Sequence, residues 1–218
     1  MSFQQTKLVV FDLDGTLNRT DLYAVEVHQQ VQKSLGLPVL DAATIISMFG
    51  ARSYDCARVL MPGASEEVQK EYYRRTGELE LELMKKKSGA YQGTAEMLDT
   101  LHQMGCTTAV CSNASSRYIN GVLECISLKE KIDTIQPLEY GLSKVDNLRK
   151  LIERLNPSMA VMVGDRIFDL EAARGNHIPF IGCSYGYCPK EIEGADIVAA
   201  SPSEIPAAAE ELFRQAAR

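Results

Sequence analysis

Leu8-Val9-Val10-Phe11 is an unbroken apolar run that stops at Asp12-Leu13-Asp14-Gly15-Thr16. An apolar stretch this short, bounded by turn residues, suits a strand buried on both faces rather than a helix. Strands of that kind belong to parallel sheets covered by helices on either side. The same pattern recurs: Thr107 to Cys111 runs into Ser112-Asn113, and Ala160 to Val163 runs into Gly164-Asp165. Pro179 to Gly182 and Asp196 to Ala199 complete the series. Helical patterns separate these segments. Met97, Leu98, Leu101 and Met104 share one face before Gly105, and Leu148, Leu151, Ile152 and Leu155 share another before Asn156-Pro157. A third, shorter helix is predicted over 170–174. Alternating strands and helices predict a doubly wound, parallel, Rossmann-like α/β sheet.

Residues 19–88 break the alternation, reading as helices over 22–35, 42–49, 54–60 and 66–87 with no strand among them. The expected organisation is therefore a core from 1–18 and 89–218, with 19–88 inserted as an all-helical cap. The net charge of −6 argues against a nucleic-acid partner, which demands lysine and arginine stripes. Lys85-Lys86-Lys87 follows the acidic stretch Glu78 to Glu82 and reads as a solvated helix face. No segment is apolar for long enough to span a bilayer, and Met1 to Gln5 carries no basic lead into an apolar run. A cytoplasmic protein, monomeric or homodimeric, is expected. Its six cysteines contain no Cys-x-x-Cys pair and read as reduced, structural thiols.

In open α/β sheets, ligands bind beyond the carboxyl ends of the strands. Here those ends carry Asp12, Asp14, Thr16, Ser112, Asn113, Asp165 and, four residues further on, Asp169; Lys144 opens a helix between them. Carboxylates from Asp12, Asp14 and Asp165 would repel one another unless a cation lay among them. Hard oxygen ligands in small number suit Mg²⁺, which also takes substrate phosphate oxygens. Lys144, Thr16, Ser112 and the loop N–H groups after Asp12 could hold those oxygens. Together they point to phosphoryl transfer.

Asp12-Leu13-Asp14-Gly15-Thr16-Leu17, Ser112-Asn113, Lys144 and Gly164-Asp165-Arg166-x-x-Asp169 resemble, in order and spacing, the four motifs of the haloacid dehalogenase superfamily. The resemblance covers the whole chain, with 19–88 matching the superfamily's small helical cap, and leans to its phosphoglycolate-phosphatase-like branch. It implies a magnesium-dependent phosphatase of small phosphorylated metabolites. Asp12 would be the nucleophile forming an aspartyl-phosphate. Asp14 would be acid and then base, lending its main-chain carbonyl to the metal. Thr16, Ser112, Asn113 and Lys144 would bind phosphate, and Asp12, Asp14 and Asp165 the Mg²⁺. Asp169 would support that shell or pair with Lys144. An acid at Asp14 favours phosphate esters over haloacids, because halide leaves without a proton. A β-phosphoglucomutase-type mutase, a nucleotidase, a pyrophosphatase and a non-catalytic binding protein on the same fold stand as alternatives. Arg166 departs from the Ser or Thr frequent in that branch.

Arg52 in the cap is the candidate for substrate specificity, with Arg19 and Tyr54 behind it. Gly182-Cys183-Ser184-Tyr185-Gly186 matches a nucleophile elbow, but no histidine follows Ser184. His177, Cys183 and Cys188 fit no zinc spacing. His28 and His102 read as surface or interface residues.

Overall fold

Val9 and Phe11 face one side of the central sheet and Leu8 and Val10 the other, all fully buried, as a strand covered on both faces requires. The computed structural model describes residues 6–51 and 53–216. Its six strands are β1 (Lys7–Phe11), β2 (Cys106–Cys111), β3 (Thr134–Gln136), β4 (Met159–Gly164), β5 (Phe180–Cys183) and β6 (Ile197–Ala199). They form one parallel sheet in the order β3-β2-β1-β4-β5-β6. Strand β1 lies between β2 and β4, with Phe11 in register with both Val110 and Val163. The chain therefore leaves β1 where the winding reverses, and the residues after all three strands share one crevice.

The helices around the sheet are α5 (Thr94–Gln103), α6 (Ser116–Cys125), α7 (Lys144–Leu155), α8 (Ile167–Gly175) and α9 (Ile205–Ala216). Leu98, Leu101, Leu212 and Phe213 pack against Val9 and Phe11, while Leu148, Leu151 and Ala172 pack against Leu8 and Val10. The strand pattern matches the apolar runs, except that β3 carries no such run. Helix α8 begins three residues earlier than its sequence pattern, and α6 and α9 have no counterpart in that pattern.

Among the described residues, the elements between β1 and α5 are all helices: α1 (Asp21–Ser34), α2 (Ala42–Ile46), α3 (Ser53–Leu60) and α4 (Glu66–Lys87). Helices α1 and α4 pack together through Tyr23, Val27, Val31, Tyr72 and Leu83. Lys85, Lys86 and Lys87 are exposed, as a solvated face should be. The two connections to the core lie side by side, joined by Arg19 N donating to Gly89 O at 2.8 Å and by a bridge between Asn18 and Ala90. No helix among the described residues is long and apolar enough to cross a membrane.

Candidate active site

The loop after β1 turns sharply because Gly15 adopts φ +84°, and a side chain there would collide with Asp165. The turn brings Thr16 Oγ1 to 3.2 Å from Asp165 Oδ1, to which it donates. Lys144 is fixed by a capping box at the start of α7. Ser143 Oγ accepts from Asp146 N at 3.2 Å, and Ser143 N donates to Asp146 Oδ2 at 3.1 Å. From there Lys144 Nζ reaches Asp12 Oδ1 and Asp169 Oδ1, each at 2.6 Å, with all three side chains buried. Burial works against the ammonium, but Asp12 and Asp169 outweigh it and hold the lysine above its ordinary pKa.

One oxygen from each of Asp12, Asp165 and Asp169 lies within 4.8 Å of the others. Burial, reinforced by the neighbouring carboxylates, pushes Asp165 well above the usual range. Burial also raises Asp169 against the pull of Lys144. When all three carboxylates are ionised they outnumber the one ammonium by two charges, which a divalent cation would balance. The all-oxygen donor set suits a hard ion. Tyr187 N donates to Asp165 Oδ2 at 2.8 Å across Gly186, where any Cβ would overlap Asp165. Tyr185 OH donates to Thr16 O at 3.1 Å, so the Tyr185-Gly186-Tyr187 segment closes over this cluster.

The side chain of Asp14 stands apart. The sequence places it with Asp12 and Asp165, whereas the buried carboxylate group is completed by Asp169. Asp14 Oδ1 instead accepts from Asn18 Nδ2 at 3.0 Å, Tyr118 OH at 3.0 Å and Thr20 Oγ1. Burial, with Asp12 adding to it, raises its pKa in spite of those donors. Ser112 is buried and its Oγ accepts from Ala114 N at 3.3 Å. Three expected phosphate ligands donate to other partners: Thr16 to Asp165, Asn113 Nδ2 to Gly50 O of the cap at 3.0 Å, and Lys144 to Asp12 and Asp169.

A cavity of about 300 Å³ joins Asp12, Asp14 and Ser112 to the cap, where His28, Phe49, Thr76 and Glu80 line it. Arg52 and the side chain of Tyr54 lie outside the described residues. Arg19 pairs with Asp21 at 2.8 Å beside the core–cap connection. Arg166 reaches the cap: its guanidinium donates to Phe49 O, to Ser47 O at 3.2 Å and to Glu191 Oε2 at 2.8 Å. Sequence reasoning did not find Asn18, Thr20, Tyr118, His28 or Glu80. The spacing of Tyr72, Thr76 and Leu83 along α4 was the available sign that Glu80 points inward, because Thr76 and Glu80 are one turn apart. Ser184 donates to Ala199 O at 3.2 Å, a main-chain carbonyl rather than a base. His177, Cys183 and Cys188 form no cluster of metal-ligating groups among the described residues.

A doubly wound parallel sheet with acids at the ends of β1 and β4, a buried lysine and a helical cap after β1 defines a class of α/β hydrolases. Residues 9–183 match the haloacid dehalogenase-like hydrolase family, and the chain belongs to it. It is 30% identical to a phosphoglycolate phosphatase of Agrobacterium fabrum over 192 residues, covering 83% of this chain and 81% of that one. It is 26% identical to an N-acetylmuramic acid 6-phosphate phosphatase of Pseudomonas aeruginosa, covering 94% and 95%. In fold it resembles the crystal structure of a predicted phosphatase from Clostridium acetobutylicum, with a TM-score of 0.82, 24% identity and coverage of 96% and 100%.

Proposed function

We propose that the protein is a magnesium-dependent phosphatase that hydrolyses a small phosphorylated metabolite through an aspartyl-phosphate on Asp12. The observation that carries this reading is the contrast between two acids two positions apart, Asp12 and Asp14. Asp12 is paired with an ammonium, while Asp14 is held by three neutral donors and shifted towards its protonated form. Acids pushed into different states by their surroundings divide nucleophile from proton donor. The named relatives, phosphatases of quite different alcohols, support the reaction class.

Asp12 attacks phosphorus, and the bond from phosphorus to the alcohol oxygen breaks. Asp14 gives its proton to that oxygen. Water then attacks the acyl phosphate, Asp14 takes the water's proton, and Asp12 is restored as inorganic phosphate leaves. Lys144 offsets charge on Asp12 and on the phosphoryl oxygens, and Ser112 binds the transferring group. Asp12, Asp165 and the Asp14 carbonyl would hold Mg²⁺, with Asp169 fixing Lys144. The ion would neutralise phosphoryl charge. The core of 1–18 and 89–218 performs this chemistry, and 19–88 closes over it.

The test is hydrolysis of p-nitrophenyl phosphate with and without magnesium, in the wild type and in Asp12→Asn. Activity that needs the ion and disappears in the variant, together with ³²P label trapped on the wild type alone, is expected. Near wild-type turnover in Asp12→Asn would end the nucleophile assignment.

A further inference from the structure

The cavity beyond the phosphoryl site must receive whatever alcohol the phosphate is attached to. Asp12, Asp14 and Ser112 form its floor, and its far wall carries His28 from α1 with Thr76 and Glu80 from α4. No lysine or arginine is among its described lining residues. Arg74 and Arg117 line a neighbouring hollow that shares Glu80 and Tyr118, and Arg74 is already paired with Glu71 and Glu78.

Three groups on that wall have unused hydrogen-bonding capacity. Glu80 makes no hydrogen bond or ion pair among the described residues. The hydroxyl of Thr76, one helical turn away, is buried without a partner. His28 uses Nδ1 on Tyr72 OH at 2.6 Å, which leaves Nε2. Of the three only Thr76 is fully buried; buried polar groups are ordinarily satisfied, so its unpartnered hydroxyl, with half-buried Glu80 and His28 beside it on the cavity wall, calls for a ligand. Burial, with Asp14 adding to it, pushes Glu80 up to about 8, in keeping with surroundings that disfavour negative charge.

We propose that this cavity selects a non-anionic, hydrogen-bond-donating alcohol, with Glu80 as the acceptor that recognises it. The substrate is then a sugar phosphate or an amino-alcohol phosphate rather than the phosphate ester of a hydroxy acid. A carboxylate on the leaving group would lose its hydration there with no cation among the described lining residues to balance it. A hydroxyl or an ammonium would donate to Glu80 and let Thr76 donate in return. This inference rests on the phosphatase reading above and narrows it to a substrate class.

The experiment measures kcat/KM for ribose 5-phosphate, phosphoethanolamine and phosphoglycolate with the wild type and Glu80→Gln, magnesium present throughout. The amide keeps the shape of the side chain, and its thermal unfolding is recorded alongside. The wild type is expected to favour one of the first two substrates over phosphoglycolate by at least about tenfold, and Glu80→Gln to narrow that ratio by about tenfold. A greater loss for phosphoethanolamine than for ribose 5-phosphate identifies an ammonium partner; the reverse identifies hydroxyls. A wild type that prefers phosphoglycolate, with the preference lost in Arg52→Ala and unmoved in Glu80→Gln, overturns the inference. Failure of the wild type to hydrolyse p-nitrophenyl phosphate would instead remove the phosphatase reading beneath it.

Discussion

Replacing Lys144 with methionine removes the one ammonium that separates Asp12 from Asp169. The side chains of Lys144, Asp12 and Asp169 are 6%, 4% and 0% exposed, so water cannot take over the lost role. Breaking a buried ion pair by deleting one partner costs about 3–5 kcal/mol. Relief comes from protonation, because Asp165 and Asp169 already sit above the usual carboxylate range and bind protons readily. The lower figure of about 3 kcal/mol therefore applies near neutral pH, and in a chain of this size it lowers Tm by roughly 6–12 °C. Loss of the ammonium removes what now pulls Asp169 down, so Asp169 rises further, while the unfolded chain is unaffected. The native variant then holds more protons than its unfolded form above the ordinary carboxylate range, and its deficit grows as pH rises. The assay is thermal unfolding in EDTA at pH 5 and pH 8, followed by magnesium titration. The gap from wild type should be wider at pH 8, and magnesium should raise Tm more in the variant than in the wild type. Equal Tm values for the two proteins at both pH values would refute the idea that the lysine balances a strained carboxylate cluster.

Arg166→Met should lower kcat/KM for the best substrate by about tenfold, because the cap loses its donors to Ser47 and Phe49. Arg166→Lys should not restore it, since an ammonium cannot span those carbonyls and Glu191 together; full rescue by lysine in steady-state kinetics would contradict this. Burial lowers His28 to about 4. The unfolded chain therefore holds the extra proton between that value and about 6.5, and stability falls as pH drops through this window. The ring is only half-buried, so His28→Gln should remove on the order of 1–2 kcal/mol of that loss in urea titrations at pH 7 and pH 4.5. Identical losses in both proteins would show that His28 does not titrate this way. Calcium should inhibit, because its looser coordination can draw in Asp12 as a bidentate ligand; equal turnover with calcium and magnesium would count against a tight site.

The strand ends were legible because a parallel strand buried on both faces must be apolar throughout, so its end is marked by the first polar residue. Val10-Phe11-Asp12 and Val163-Gly164-Asp165 show this directly. Strand β3 was not legible: Thr134-Ile135-Gln136 lies at the sheet edge, where only Gln136 is fully buried and no apolar run is needed. Helix α6 was hidden by Arg117, Asn120 and Gly121, though Ile119, Val122 and Leu123 form its buried stripe. Motif spacing placed Lys144 and Asp165. It could not place the partners of Asp14, since Tyr118 reaches that carboxylate across a separation of 104 residues. Glu80 sat in Glu78-Leu79-Glu80-Leu81-Glu82, a stretch that reads as solvated until the facing helix is known.

The paired connections between core and cap also matter for exchange of parts. Arg19 N is bonded to Gly89 O, so the chain leaves the core and returns to it at almost the same point. Seen from the sheet, the whole helical insert is a single closed loop, and the entropy of closing a loop grows only slowly with its length. The core thus presents a graft point. A helical block spliced between Asn18 and Ala90 would have to keep this end-to-end separation, carry Thr20 for Asp14, and offer acceptors to Asn113 and Arg166, which now donate to Gly50, Ser47 and Phe49 of the insert.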